Sequence, residues 1–136
     1  MGSNMKKLDR TLPALVVDDS RTMCEIMCRI LRQAGFPDCD SATEAIDALA
    51  KLKSKRYGLM MTDLNMNPIS GTDLIRLVWS DRDIAEIPTI LTSGNHQGVA
   101  RAVVESEREL ADVYILKPFS AEALDRKLKD VFGEHA

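Results

Sequence analysis

Five times along the chain a short apolar run gives way to a stretch with helical spacing, and this alternation limits the fold more than any other feature. Residues 14–18 read as a strand, after which Met23, Ile26, Met27, Ile30, Leu31 and Ala34 recur at helical spacing until Gly35 closes the helix. A weak strand is expected near 38–41. A helix over 43–53 follows, with Thr43 as its cap and Ile46, Leu49 and Leu52 on its buried side. Further strands are predicted at 57–63, 87–94 and 112–119. Between and after them come helices marked by Leu74, Leu77 and Val78, by residues 98–110, and by Leu124, Leu128, Val131 and Phe132.

Strand–helix alternation of this kind implies a parallel sheet with helices on both faces, an α/β doubly wound architecture. Right-handed crossovers leave few topologies, and the flavodoxin-like strand order 2-1-3-4-5 is the expected one. The length of 136 residues suits one domain: 1–4 ("MGSN") reads as an expression scar and 5–136 as a single folded unit. Hydrophobic residues at 45% and charged residues at 29% match a soluble globular protein. With 18 basic and 21 acidic side chains the net charge is −3, so no basic excess points to nucleic acid. No apolar run has the length of a membrane span and no signal peptide opens the chain, so neither a membrane nor a secreted setting is expected. Cys24, Cys28 and Cys39 form no disulfide-framework pattern, which suits a reducing cytoplasm. Cys24 and Cys28 stand one helical turn apart without a partner to complete a metal site, so packing is their expected role.

In such sheets ligands bind beyond the carboxyl ends of the strands, where strand order reverses. This sequence places its chemistry there. The first strand ends in Asp18 and Asp19, the third in Asp63, the fourth in Thr92 and Ser93, and the fifth in Lys117. Each alone has an ordinary reading: Asp19 or Ser20 as a helix cap, Asp63 in an Asx-turn, a hydroxyl closing a strand, a lysine in a loop. Together they bring three carboxylates to one crevice with one lysine. Such a cluster suits a hard divalent cation, and Mg²⁺ takes a few carboxylates, backbone carbonyls, water and phosphate oxygens. A strand-end carboxylate beside a metal is also a competent phosphoryl acceptor. Asp63, alone at its strand end, is the better nucleophile, and Asp18 and Asp19 are the better ligands.

Four segments carry a family resemblance: "VVDDSRTM", "MMTDLNMNPISG", "PTILTSG" and "YILKPF", in this order and at suitable separations. From about residue 12 to 132 the chain resembles the receiver domain of two-component response regulators, the stand-alone chemotaxis-regulator type in particular. The resemblance implies a phosphoprotein with no output domain. Asp63 would take its phosphoryl group from a sensor histidine kinase or a phosphotransfer protein. Asp18, Asp19, Asp63 and the backbone carbonyl of Asn65 would hold Mg²⁺. Lys117 would contact the phosphoryl oxygens and precede a cis Pro118. Ser93 and Tyr114 would act as switch residues that reshape a surface of fourth helix, fifth strand and fifth helix for a partner protein. The protein would catalyse only its own phosphorylation and dephosphorylation. A phosphorelay intermediate or a phosphate sink is the alternative within the same class.

The sequence also departs from the family pattern. Asn67-Pro68 stands where proline more often comes earlier, Gly94 stands where alanine is usual, and "ESERE" makes residues 105–109 acidic. Neither Asn65 nor Asn95 is a carboxylate or strong base able to activate water, so a moderately long-lived phosphorylated state is expected. Among rivals, a haloacid-dehalogenase-type phosphatase would carry an Asp where Asn65 stands. A flavin-binding module would meet repulsion between its phosphate and Asp18 and Asp19.

Overall fold

The computed structural model describes residues 6–94 and 111–133. The elements in chain order are β1 (Ala14–Val17), α1 (Arg21–Gln33), β2 (Cys39–Ala42), α2 (Ala45–Ser54), β3 (Leu59–Asp63), α3 (Gly71–Trp79), β4 (Thr89–Ser93), β5 (Val113–Leu116) and, after the fifth strand, α4 (Ala121–Phe132). The helix expected over 98–110, with Asn95 and the acidic run 105–109, lies outside the described residues. Every strand pairing is parallel, as the alternation predicts, and the order is the expected flavodoxin-like one, β2-β1-β3-β4-β5.

Because successive strand residues face opposite sides, the apolar strands feed two cores. On one face Ala14, Val16, Met61 and Ile90 pack with Cys24, Met27 and Leu31 of α1 and with Leu124 and Leu128 of α4. On the other, Leu15, Val17, Met60 and Leu91 pack with Ala48 and Leu52 of α2 and with Leu74, Ile75 and Val78 of α3. Three helices begin at a serine whose hydroxyl accepts a backbone N–H of the first turn: Ser20 for α1, Ser70 for α3 and Ser120 for α4.

Some expectations about detail are corrected. The second helix starts at Ala45, and Glu44 rather than Thr43 holds the N-cap position, without a side-chain cap bond. Its buried stripe is therefore Ala45, Ala48 and Leu52, and Ile46 is 60% exposed. Ile26 and Leu77 also face outward, since the buried stripes of their helices run through Met27 and Leu31 and through Leu74 and Val78. Cys28 is joined to Cys39 by a disulfide, with Cα atoms 5.6 Å apart, where packing alone was expected. Helical spacing describes neighbours within α1; it does not show which residue of β2 the helix will cover.

Candidate functional site

The site is built from the carboxyl ends of β1, β3, β4 and β5. Past the end of β1, the Asp18 N–H donates to the Ala42 carbonyl (3.1 Å), so the backbone stays in register one residue beyond the strand. One Asp18 carboxylate oxygen accepts the Ser20 N–H (2.9 Å), and the Ser20 hydroxyl accepts from Met23 N (3.2 Å) to start α1. Ser20 is thus the cap, and Asp19 is left exposed with its carboxylate available. The Cys24 thiol, one turn into α1, donates to the Asp18 carbonyl at 3.3 Å and ties the helix to this corner.

Asp63 is the last residue of β3, opposite Thr92 of β4, and is buried. The loop beyond it carries the exposed Asn65 and a cis Asn67–Pro68 bond. It then folds back so that the Gly71 N–H donates to the Leu64 carbonyl (3.0 Å). A Cβ at Gly71 would lie 2.1 Å from the Asp63 carbonyl oxygen, an overlap no side chain tolerates. Glycine is what lets α3 begin against the backbone of Asp63.

Lys117 arrives from β5. Its N–H donates to the Ser93 carbonyl (2.8 Å), its bond to Pro118 is cis, and its Nζ lies 3.4 Å from both Asp18 Oδ2 and Asp63 Oδ1. Oxygen atoms of Asp18, Asp19 and Asp63 all lie within 4.8 Å of one another. At such a separation two unscreened carboxylates repel by roughly 3–4 kcal/mol at an effective dielectric of about 20. One ammonium cannot balance three carboxylates. Burial pushes the Asp63 carboxyl above its ordinary range; Lys117 pulls it back, and Asp18 and Asp19 push it further up. The donors are hard oxygens with negative charge in excess, the set that fits Mg²⁺.

The two strand-end hydroxyls are arranged differently. Thr92 Oγ1 donates to the Thr62 carbonyl (3.4 Å), and the fully buried Ser93 donates to the Gly94 carbonyl (3.0 Å). Tyr114 pairs with Leu91, two residues before Ser93, so Ser93 and Tyr114 share a face of the sheet. The Tyr114 ring packs against the cluster on that face, and its hydroxyl is buried without a hydrogen-bond partner among the described residues.

The strand-end residues singled out in the sequence, Asp18, Asp19, Asp63 and Lys117, therefore converge on one corner, with Ser93 and Tyr114 on the sheet face beside it. Sequence reasoning missed Gly71 and Cys24. A glycine at the loop–helix junction was a visible signal for the first. Nothing in the spacing signals that a helical thiol reaches the Asp18 carbonyl.

Residues 14–129 match the model of the response regulator receiver domain. The chemotaxis protein CheY-3 of Vibrio cholerae is 30% identical over 125 residues, spanning 92% of this chain and 95% of that protein. Among solved structures, the response regulator receiver protein of Pseudomonas putida has a TM-score of 0.72 at 31% identity, covering 88% of this chain and 97% of that one. The receiver domain of a signal transduction histidine kinase from Syntrophus aciditrophicus has a TM-score of 0.74 at 28% identity, with 90% of each chain covered.

Proposed function

From the premise that this chain belongs to the response regulator receiver family, we propose that it signals through a phosphoryl group carried on Asp63. Members of this family are signalling proteins rather than classical enzymes, and membership sets aside the dehalogenase and flavin readings. The observation that carries the proposal is the convergence of Asp18, Asp19 and Asp63 within 4.8 Å, with Lys117 Nζ 3.4 Å from two of them.

An Asp63 carboxylate oxygen attacks phosphorus, the bond from phosphorus to the donor breaks, and the bonding pair leaves with the donor, a phosphohistidine imidazole of a sensor kinase or phosphotransfer protein. Asp18, Asp19, Asp63 and the carbonyl of Asn65 are the residues that would hold Mg²⁺, whose charge offsets that of the carboxylates and the phosphoryl oxygens. Lys117, already beside Asp63, neutralises one further oxygen. Ser93 and Tyr114 form the switch, coupling the loaded site to a partner surface that includes β5 and α4. Leu116 of β5, a large apolar side chain 40% exposed, supports a protein partner on that side. Among the described residues no helix is long and apolar enough to cross a membrane. The likeness to a receiver from a histidine kinase supports, as a second reading, a relay role in which Asp63 passes its phosphoryl group onward.

Incubation with acetyl phosphate and Mg²⁺ followed by intact mass spectrometry tests the proposal. One added phosphoryl group is expected on the parent, and none on Asp63→Asn or without Mg²⁺. Uptake that persists in Asp63→Asn would move the acceptor elsewhere.

A further inference from the structure

We propose that Cys28 and Cys39 form a reversible thiol–disulfide exchange site, open to a low-molecular-weight disulfide such as oxidised glutathione, whose state sets how firmly Asp18 is held. The two residues come from different elements, α1 and β2, and their Cα separation of 5.6 Å lies in the range a disulfide spans without backbone movement. Their environments differ in a way that suits exchange. Cys28 is buried against the α1 face of the core, whereas Cys39 is only half-buried and opens β2, one of the two edge strands of the sheet. Cys39, the more exposed of the two, is the one assigned to meet an outside disulfide first.

The chemistry balances with that one co-reactant. The Cys39 thiolate attacks one sulfur of oxidised glutathione, the glutathione S–S bond breaks, and one glutathione thiolate leaves. The Cys28 thiolate then attacks the Cys39 sulfur, forming the Cys28–Cys39 bond and releasing the second glutathione thiolate. The protein has lost two electrons and two protons, and one small disulfide has become two thiols. Cys24 does not compete: it is buried and its thiol is engaged by the Asp18 carbonyl.

The link matters for the site because it fastens together the two elements that position Asp18. The carboxyl end of β2 accepts the Asp18 N–H through the Ala42 carbonyl, and the first turns of α1 hold Asp18 through Ser20 and Cys24. Closing the loop between residues 28 and 39 removes freedom from the unfolded chain and ties α1 to the sheet edge.

The test is equilibration of the full chain in glutathione buffers of graded redox ratio, then peptide mapping without reductant and thermal unfolding with and without Mg²⁺. A Cys28–Cys39 linked peptide is expected, reversed by dithiothreitol. The oxidised form should unfold about 5 °C or more higher and bind Mg²⁺ about threefold more tightly than the reduced form. Cys28→Ser and Cys39→Ser, each unfolding near the reduced parent, should lose the redox response, and Cys24→Ser should keep it. Only glutathione adducts, a link through Cys24, or equal Mg²⁺ affinity in the two forms would overturn the proposal. Asp63→Asn should still form the link, so its formation stands apart from the phosphoacceptor reading.

Discussion

Where the chain enters the sheet, cations and anions are matched: Lys6 Nζ lies 2.8 Å from Asp112, Lys53 Nζ 2.7 Å from Asp81 and Lys55 Nζ 2.9 Å from Asp40. Where the strands end, Asp18, Asp19 and Asp63 gather around one Lys117 that stays 3.4 Å from two of them. These three pairs satisfy their charges within the fold. The unmatched end carries repulsion that the fold itself creates and leaves uncompensated, which is how sites held ready for a ligand differ from structural ion pairs. Substitutions at the two ends should therefore separate function from stability.

The largest effect is expected at Asp63, the proposed acceptor. Asp63→Asn should reduce phosphoryl uptake at least 100-fold while leaving the thermal midpoint in metal-free buffer unchanged or higher, since it removes one member of a repelling cluster. A large drop in midpoint would show that Asp63 stabilises the fold and would break the contrast between the ends. Gly71→Ala comes next, because its Cβ would strike the Asp63 carbonyl. A loss of about 3 kcal/mol in denaturant unfolding, with reduced uptake, is expected from forcing the loop apart.

At the entry end, Asp112 accepts Thr89 N–H at 2.9 Å, Thr89 Oγ1 at 3.1 Å and Lys6 Nζ at 2.8 Å. Asp112→Ala should cost about 2 kcal/mol by leaving these donors poorly matched, yet the initial rate of uptake from acetyl phosphate should stay within twofold of the parent. The smallest effect belongs to Tyr57, whose hydroxyl donates to Asp40 Oδ2 at 2.7 Å. That bond first, and Lys55 second, hold the Asp40 carboxyl below its ordinary range. Stability from a depressed carboxylate is present above its unfolded pKa and lost as pH falls through the folded one. Because Asp40 is partly exposed and solvent screens this bond, Tyr57→Phe should cost less than about 1 kcal/mol near neutrality. Unfolding curves should show parent and variant converging as pH falls below about 4.

The entry end and the site end were also legible to different degrees. The parallel sheet followed from alternation, and right-handed crossovers left few arrangements, of which the flavodoxin-like order is one. Asp18, Asp63 and Lys117 were legible because each closes an apolar run, which fixes its height in the sheet. The α2 stripe was misread: alanine at positions 45 and 48 gives a weaker hydrophobic signal than Ile46, which packing leaves outside. Gly71 against Asp63, Cys24 against Asp18 and Cys28 bonded to Cys39 are contacts between elements, set by how helices dock on the sheet. Local spacing carries no record of them.

The most direct measurement is the thermal midpoint as a function of Mg²⁺ for the parent and for Asp19→Ala, a change at the exposed carboxylate that the cap does not use. The unmatched end should act as a binding site. The parent midpoint should rise with Mg²⁺ as mass action requires, and Asp19→Ala should lose most of that rise while starting no lower in metal-free buffer. A parent midpoint indifferent to millimolar Mg²⁺, or an Asp19→Ala variant that responds as the parent does, would contradict the view that these carboxylates are gathered to receive a cation.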